Sequence, residues 1–200
     1  RLIKKMAPIT RKELAEQTDY SSATISNHVK TLIEKDYVIE TEKGHSTGGR
    51  KPVYVKVNPD KGYILSIDIE VSIVKIVIFN LDLNIVDRIE FEFVLDEKEE
   101  NVLSRIRKNI DIYLKKNEIK KEKILGIGIA VPGFINKEEK TLEFAPNLGW
   151  KKLDIISFFD EYNVPVMLEN EANAAVIGEK QFVYPQYDNI VYVSINEGIG

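Results

Sequence analysis

Hydrophobic positions along this chain follow two rhythms, and the change-over falls near residue 60. Before it, the spacing is helical. Residues 9–17 predict a helix with Thr10 as N-cap and Glu13 three residues later, the spacing of a capping box. A second helix is predicted to start after Ser21, with Ile25, Val29, Leu32 and Ile33 along one face. Ser22, Ser26, Asn27 and Lys30 fall on its opposite face. Strand-like runs at 37–40 and 53–57 follow, separated by the glycine-rich, basic stretch 44–52. Asn58-Pro59-Asp60-Lys61-Gly62 is turn chemistry and marks a boundary, giving a head of residues 1–58 and a body of residues 59–200.

Beyond the boundary the rhythm is that of strands. Runs at 63–69 and 73–79 are rich in β-branched residues, and 85–95 alternates, with Ile89, Phe91, Phe93 and Leu95 on one face. Together they predict an antiparallel meander. A helix over 99–117 carries the stripe Leu103, Ile106, Ile110, Tyr113 and Leu114. The expected order continues with a strand at 124–131, a hairpin over 134–144 and a helix at 153–162. A strand at 166–168, a helix to about residue 182 and a strand at 190–195 complete it.

Composition narrows the function classes. With 44% hydrophobic residues in 200, the chain can bury a core, and without cysteine it holds no disulfide or thiolate metal site. No run of eighteen apolar residues and no secretory h-region is present, so a cytoplasmic protein with no membrane partner is expected. Net charge is −4, but unevenly placed: residues 1–58 hold 11 Lys/Arg against 7 Asp/Glu, and residues 59–200 hold 17 against 25. A basic head on an acidic body points to a polyanion at the head.

Two stretches carry candidate chemistry. In the head, a helix-turn-helix followed by a hairpin with a Gly-rich tip is the pattern of a winged DNA-binding module. Ser22, Ser26, Asn27 and Lys30 would then face the major groove, with Arg50 and Lys51 on the wing. Only the last residues of the helix such a module places before Pro8 are present, so the chain is expected to begin inside it. In the body, Pro165–Glu179 passes from a short apolar run through Glu169-Asn170-Glu171 into small helix-compatible residues. That puts Asn170 and Glu171 at the carboxyl end of a sheet, where open α/β folds bind ligands. On this spacing alone a solvated turn is the plainer reading.

Other segments reverse that preference. Asp68 with its strand, Gly126–Gly133 ending in Pro132-Gly133, Ala145-Pro146-Asn147-Leu148-Gly149-Trp150 and Glu169–Ala174 together resemble the repressor/ORF/kinase (ROK) family. The head resembles its transcriptional-repressor branch, and the combination with Tyr192–Ile195 and Gly198–Gly200 looks most like the xylose repressors. The resemblance implies the first half of an actin/sugar-kinase (ribonuclease H-like) α/β fold behind the winged head. It also implies a sugar site at Gly133, Asn147, Asn170 and Glu171. The expected partners are operator DNA and a sugar, xylose first, with a homodimer as the DNA-reading unit. Family members run to about twice this length, so the family's structural zinc cluster would lie beyond residue 200, and no cofactor or metal site is expected within the chain.

Kinases of the family carry Asp-x-Gly-Gly-Thr at their first phosphate loop, whereas this chain reads Asp68-Ile69-Glu70-Val71-Ser72. Glu70 sets a negative charge beside phosphates, and Val71 adds a branched side chain where glycine would let the backbone approach. Glu197 does the same at a second turn. Glu171 stands where the kinases have a catalytic aspartate, with one methylene more. No catalytic residue is therefore assigned, and the chain is expected to be a sugar-responsive repressor and not an enzyme. An active sugar kinase with a DNA-binding head, and a repressor answering to a hexose or amino sugar, stay open as alternatives.

Overall fold

A computed structural model describes residues 2–41, 52–95 and 97–195. Contacts divide the chain into two units, Arg1–Gly62 with Asn80–Asn84, and Tyr63–Phe79 with Ile85–Gly200.

The first unit contains α1 (Leu2–Met6), β1 (Ile9–Thr10), α2 (Arg11–Glu16), α3 (Ser22–Glu34), β2 (Val38–Thr41) and β3 (Tyr54–Val57). Both predicted caps form. Thr10 accepts from the Glu13 N–H while Glu13 accepts from the Thr10 N–H, and Ser21 accepts from the Thr24 N–H. Ile25 and Val29 of α3 pack with Ile9, Leu14, Val38 and Val55 into one small core, against a sheet of order β1-β3-β2. At two residues, β1 is too short for any period to reveal. The predicted boundary turn is a 3₁₀ turn, Pro59–Lys61, capped by Asn58. Asn58 is buried, and its amide donates to the Asp36 carbonyl and carboxylate at 3.0 and 2.9 Å, which ties the end of β3 to the end of α3.

The second unit contains β4 (Tyr63–Ile69), β5 (Ile73–Asn80), β6 (Ile85–Glu92), α4 (Glu99–Lys116), β7 (Ile124–Val131) and a small sheet of β8 (Phe134–Asn136), β9 (Thr141–Ala145) and β10 (Trp150–Leu153). Then come β11 (Val166–Asn170) and α5 (Glu171–Gly178). The main sheet has the order β11-β7-β4-β5-β6. β11, β7 and β4 run parallel, so their carboxyl ends emerge on one side. β5 and β6 pair antiparallel as the meander requires. Val102, Leu103, Ile106, Ile110 and Leu114 of α4 are buried in one core with Leu65, Ile67, Val74, Ile76, Ile127 and Ile129 of the sheet.

Three expectations fail. Residues 156–162 form a 3₁₀ segment, because Trp150–Leu153 pairs as a strand and shortens the stretch left for a helix. Leu95 is half exposed, since β6 ends at Glu92 before the alternation reaches it. Of the strand expected at 190–195 only Ile195 forms a bridge; residues 190–194 have no regular structure and Val191 is 90% exposed, since a strand needs a neighbour for its backbone donors and acceptors.

Candidate functional site

Three carboxyl ends of the parallel strands open into one cleft. β4 delivers Glu70, β7 delivers Pro132 and Gly133, and β11 delivers Asn170 and Glu171. Asn147 reaches the same cleft from the turn between β9 and β10, where Gly149 takes the left-handed φ of 73° that a side chain resists. The structure thus brings Gly133, Asn147, Asn170 and Glu171, expected far apart in sequence to share a site, around a space of about 1000 Å³. That is ample for a monosaccharide.

Asn170 organises the site. It is the N-cap of α5, its side-chain oxygen accepting from Ala172 N–H at 2.9 Å and from Asn173 N–H at 3.3 Å. Its amide donates to the Gly133 carbonyl at 3.1 Å and to Glu171 at 2.6 Å. One side chain therefore links the ends of β7 and β11. Gly133 has to be glycine: a Cβ there would stand 2.6 Å from the Phe144 carbonyl oxygen. Asn147 is exposed and its side chain makes no hydrogen bond among the described residues, leaving its amide available to a ligand.

Two contributors, Lys137 and Lys75, carried no sequence signal. Glu169 accepts from the Asn170 N–H at 3.1 Å and from Asn173 at 3.0 Å, and pairs with Lys137 at 3.3 Å. Burial disfavours its charge, but the hydrogen bonds from Asn173, Asn170 and Lys137 outweigh this and hold its pKa below the ordinary range. Lys137 lies in the β8–β9 turn, 32 residues upstream, a distance no local pattern spans. Lys75, on β5, is the second contributor.

The other end of the cleft is the turn between β4 and β5. Lys75 grips Glu70 at 2.5 Å, and Ser72 holds a left-handed φ of 71°. Beneath the turn, one carboxylate oxygen of Asp68 is buried without a hydrogen-bond partner. Burial, with Glu70 and then Glu171 adding repulsion that Lys75 only partly offsets, pushes the Asp68 carboxyl up to about 6. Tenancy by phosphate at this end would add further negative charge to three acidic residues served by one lysine.

In the first unit, Ser22, Ser26, Asn27 and Lys30 are all exposed on α3; Asn27 and Lys30 lie on the side away from Ile25 and Val29, whereas Ser22, three and seven residues before them, shares their side and is exposed where it opens the helix. Lys30 makes a long, solvent-exposed contact with Glu34 at 3.8 Å. Arg50 and Lys51 lie outside the described residues, as does Glu197.

Residues 64–200 match the ROK family and residues 1–50 match a helix-turn-helix domain. The chain belongs to the ROK family. It is 39% identical to the xylose repressor of Bacillus subtilis, a match covering 99% of this chain and 52% of that protein. Among solved structures, a ROK family transcriptional regulator described as a homologue of the Escherichia coli MLC protein superposes at a TM-score of 0.76 and 22% identity, over 100% of this chain and 51% of that one. The ROK glucokinase of Streptomyces griseus, solved with glucose and AMPPNP, aligns at 0.59 and 21%, over 70% of this chain and 43% of that one. Both show the same fold, and this ROK chain spans about half the length of the curated relatives it matches.

Proposed function

We propose that this ROK chain is the operator-reading and sugar-sensing part of a transcriptional repressor, and that xylose is the sugar that releases it. The head would lay α3 in the major groove, with Ser22, Ser26, Asn27 and Lys30 toward the DNA and Arg50 and Lys51 on the wing. In the body, Asn147 and Glu171 supply free hydrogen-bonding groups, while Asn170 holds Gly133 and Glu171 in place for neighbouring hydroxyls. The named relatives support the reading, since they are xylose repressors.

The observation that carries the choice of sensor over enzyme is the closed β4–β5 turn. Glu70 and Lys75 occupy the place where a kinase of this fold would admit phosphates, with one buried, unpaired carboxylate oxygen of Asp68 below. A sugar bound at Asn170 and Glu171 would have no phosphoryl donor beside it. Among the described residues no three His, Asp or Glu side chains are placed to hold a metal ion, so they do not fit a zinc centre and no part of this reading passes through one. No helix among the described residues is long and apolar enough to cross a membrane. The repressor would read its operator in the cytoplasm as a homodimer, one head for each half-site.

The test is an operator gel shift of the full protein, titrated with xylose, glucose and N-acetylglucosamine, beside a coupled assay for ATP turnover. Release by xylose at the lowest concentration, with no turnover above background, is expected. Asn170→Ala and Glu171→Ala should bind operator normally and need at least about tenfold more xylose, the loss expected of one buried hydrogen bond. Steady phosphorylation of a sugar would establish the kinase reading instead.

A further inference from the structure

One side chain in the cleft does not fit a site built only to hydrogen-bond hydroxyls. Phe134 follows Gly133 directly, opens β8 and is 70% exposed, while the next residue, Ile135, packs against the core. Among the described residues lining the cleft it is the sole aromatic. Phe134 stands opposite Phe144 across the hairpin, so the two share a face, but Phe144 is covered by the Lys151 ammonium at 5.2 Å and does not line the cleft. The Phe134 backbone is fixed from two sides. Its neighbour Gly133 accepts from Asn170, and the far end of the hairpin is tied by Lys137 to Glu169. An apolar plate is thereby held beside Asn147, Asn170 and Glu171.

A pyranose has the matching chemistry. Its hydroxyls lie around the rim, and its axial C–H groups give each face a slightly positive, apolar character that suits the negative face of an aromatic ring. We propose that Phe134 is the stacking platform for one face of the bound sugar, and that it sets a preference for pyranoses whose hydroxyls are all equatorial. Such a sugar, β-xylopyranose among pentoses, presents a face free of polar groups. An axial hydroxyl on the stacked face would press a polar group against the ring and lose its water. This rests on the sugar-site reading above and adds a determinant of selectivity to it.

Calorimetric titration of the full protein with D-xylose and its epimers at three ring positions, D-ribose, D-lyxose and L-arabinose, tests the proposal. The variants are Phe134→Leu and Phe134→Trp, each first checked for an unfolding midpoint close to wild type, and Asn170→Ala, titrated at a temperature where circular dichroism shows it fully folded. Wild type should prefer D-xylose. Phe134→Leu, which keeps apolar bulk but no π face, should bind xylose about threefold to tenfold more weakly. It should also lose most of the preference over at least one epimer. Phe134→Trp should keep both, and its emission should change with a midpoint matching the calorimetric one, because Trp150 is buried and away from the cleft lining. Wild-type affinity and selectivity in Phe134→Leu, alongside loss of binding in Asn170→Ala, would overturn the stack and leave the sugar site standing. Equal weakening for all four sugars with Phe134→Trp also impaired would likewise overturn it, marking Phe134 as a structural contact. A wild-type protein that binds none of the sugars would remove both the site and the platform.

Discussion

The two turns that close the cleft sit on strands of one sheet, yet they solve opposite problems. At the β11–α5 turn, Asn170 meets backbone groups with both ends of its amide, and Glu171 is steadied by it. The polar groups there are positioned by helix and strand backbone, and a ligand finds them ready. At the β4–β5 turn, Glu70 is spent on Lys75, and Asp68 is left with a buried oxygen that nothing meets. One turn is organised and open. The other is charged and shut. In a fold shared with a ROK glucokinase, that difference is what favours a sugar at the first turn and disfavours phosphate at the second in the function proposed above.

Asn170 carries the largest expected effect. Asn170→Ala removes an N-cap and leaves the Gly133 carbonyl unpaired, which together should cost about 2–4 kcal/mol. Urea unfolding should show it, with Asn170→Asp recovering the cap portion only. A loss below about 1 kcal/mol would mean that the two strand ends are not joined through this side chain.

Asp68 works in the other direction. Its folded-state pKa stands raised to about 6 from the ordinary 3.8, so protonation favours the fold. That stability is complete below about pH 4 and is lost as pH rises through 6. Asp68→Asn should therefore stabilise the body at pH 7.5 by about 1–2 kcal/mol, once solvent screening of this partly exposed group is allowed for, and the advantage should shrink steadily between pH 6 and pH 4. Thermal unfolding at four pH values reads this directly. A variant less stable than wild type at pH 7.5 would reveal a partner for the buried oxygen.

Gly133 tests the hinge between the turns by volume. Gly133→Ala drives a Cβ to 2.6 Å from the Phe144 carbonyl, which neither strand can yield without shifting the hairpin. Overpacking of this kind should cost about 1–3 kcal/mol, visible as a lower unfolding midpoint. An unchanged midpoint would show the hairpin moving freely away from β7.

Much of the fold is written in local sequence. Thr10 with Glu13, Ser21, the α4 stripe and the run at 124–131 are each dictated by local chemistry, and each appears where its residues require. Gathering Gly133, Asn147, Asn170 and Glu171 needed the family resemblance, because three strands and a hairpin carry them. What stayed hidden is the pairing of charges. Nothing in Lys75 or Lys137 as sequence distinguishes a lysine facing water from one gripping a carboxylate across a turn. The double use of Asn170 was hidden for the same reason: its second acceptor lies 37 residues away. The run at 190–194, irregular where a strand was expected, makes the complementary point, since an apolar run fixes a strand only when a neighbour supplies its hydrogen bonds.

The smallest effect sharpens the comparison most. Glu70 and Lys75 are each about 40% exposed, so water screens their attraction and Glu70→Gln should change stability by less than about 1 kcal/mol. Its electrostatic consequence should nevertheless be clear. After burial, the Glu70 charge is the next largest influence raising the Asp68 pKa, while Lys75 acts to lower it. Glu70→Gln removes the repulsion and frees the ammonium for Asp68, so both changes move the Asp68 carboxyl in the same direction, downward. A carboxyl-selective NMR titration of both proteins should therefore find Asp68 raised to about 6 in the wild type and lower in the variant. Sugar affinity should stay at the wild-type value, because Glu171 and Asn170 take their partners from another turn. An Asp68 midpoint that does not move would mean that burial alone holds it up, and the shut turn would then owe nothing to its charges.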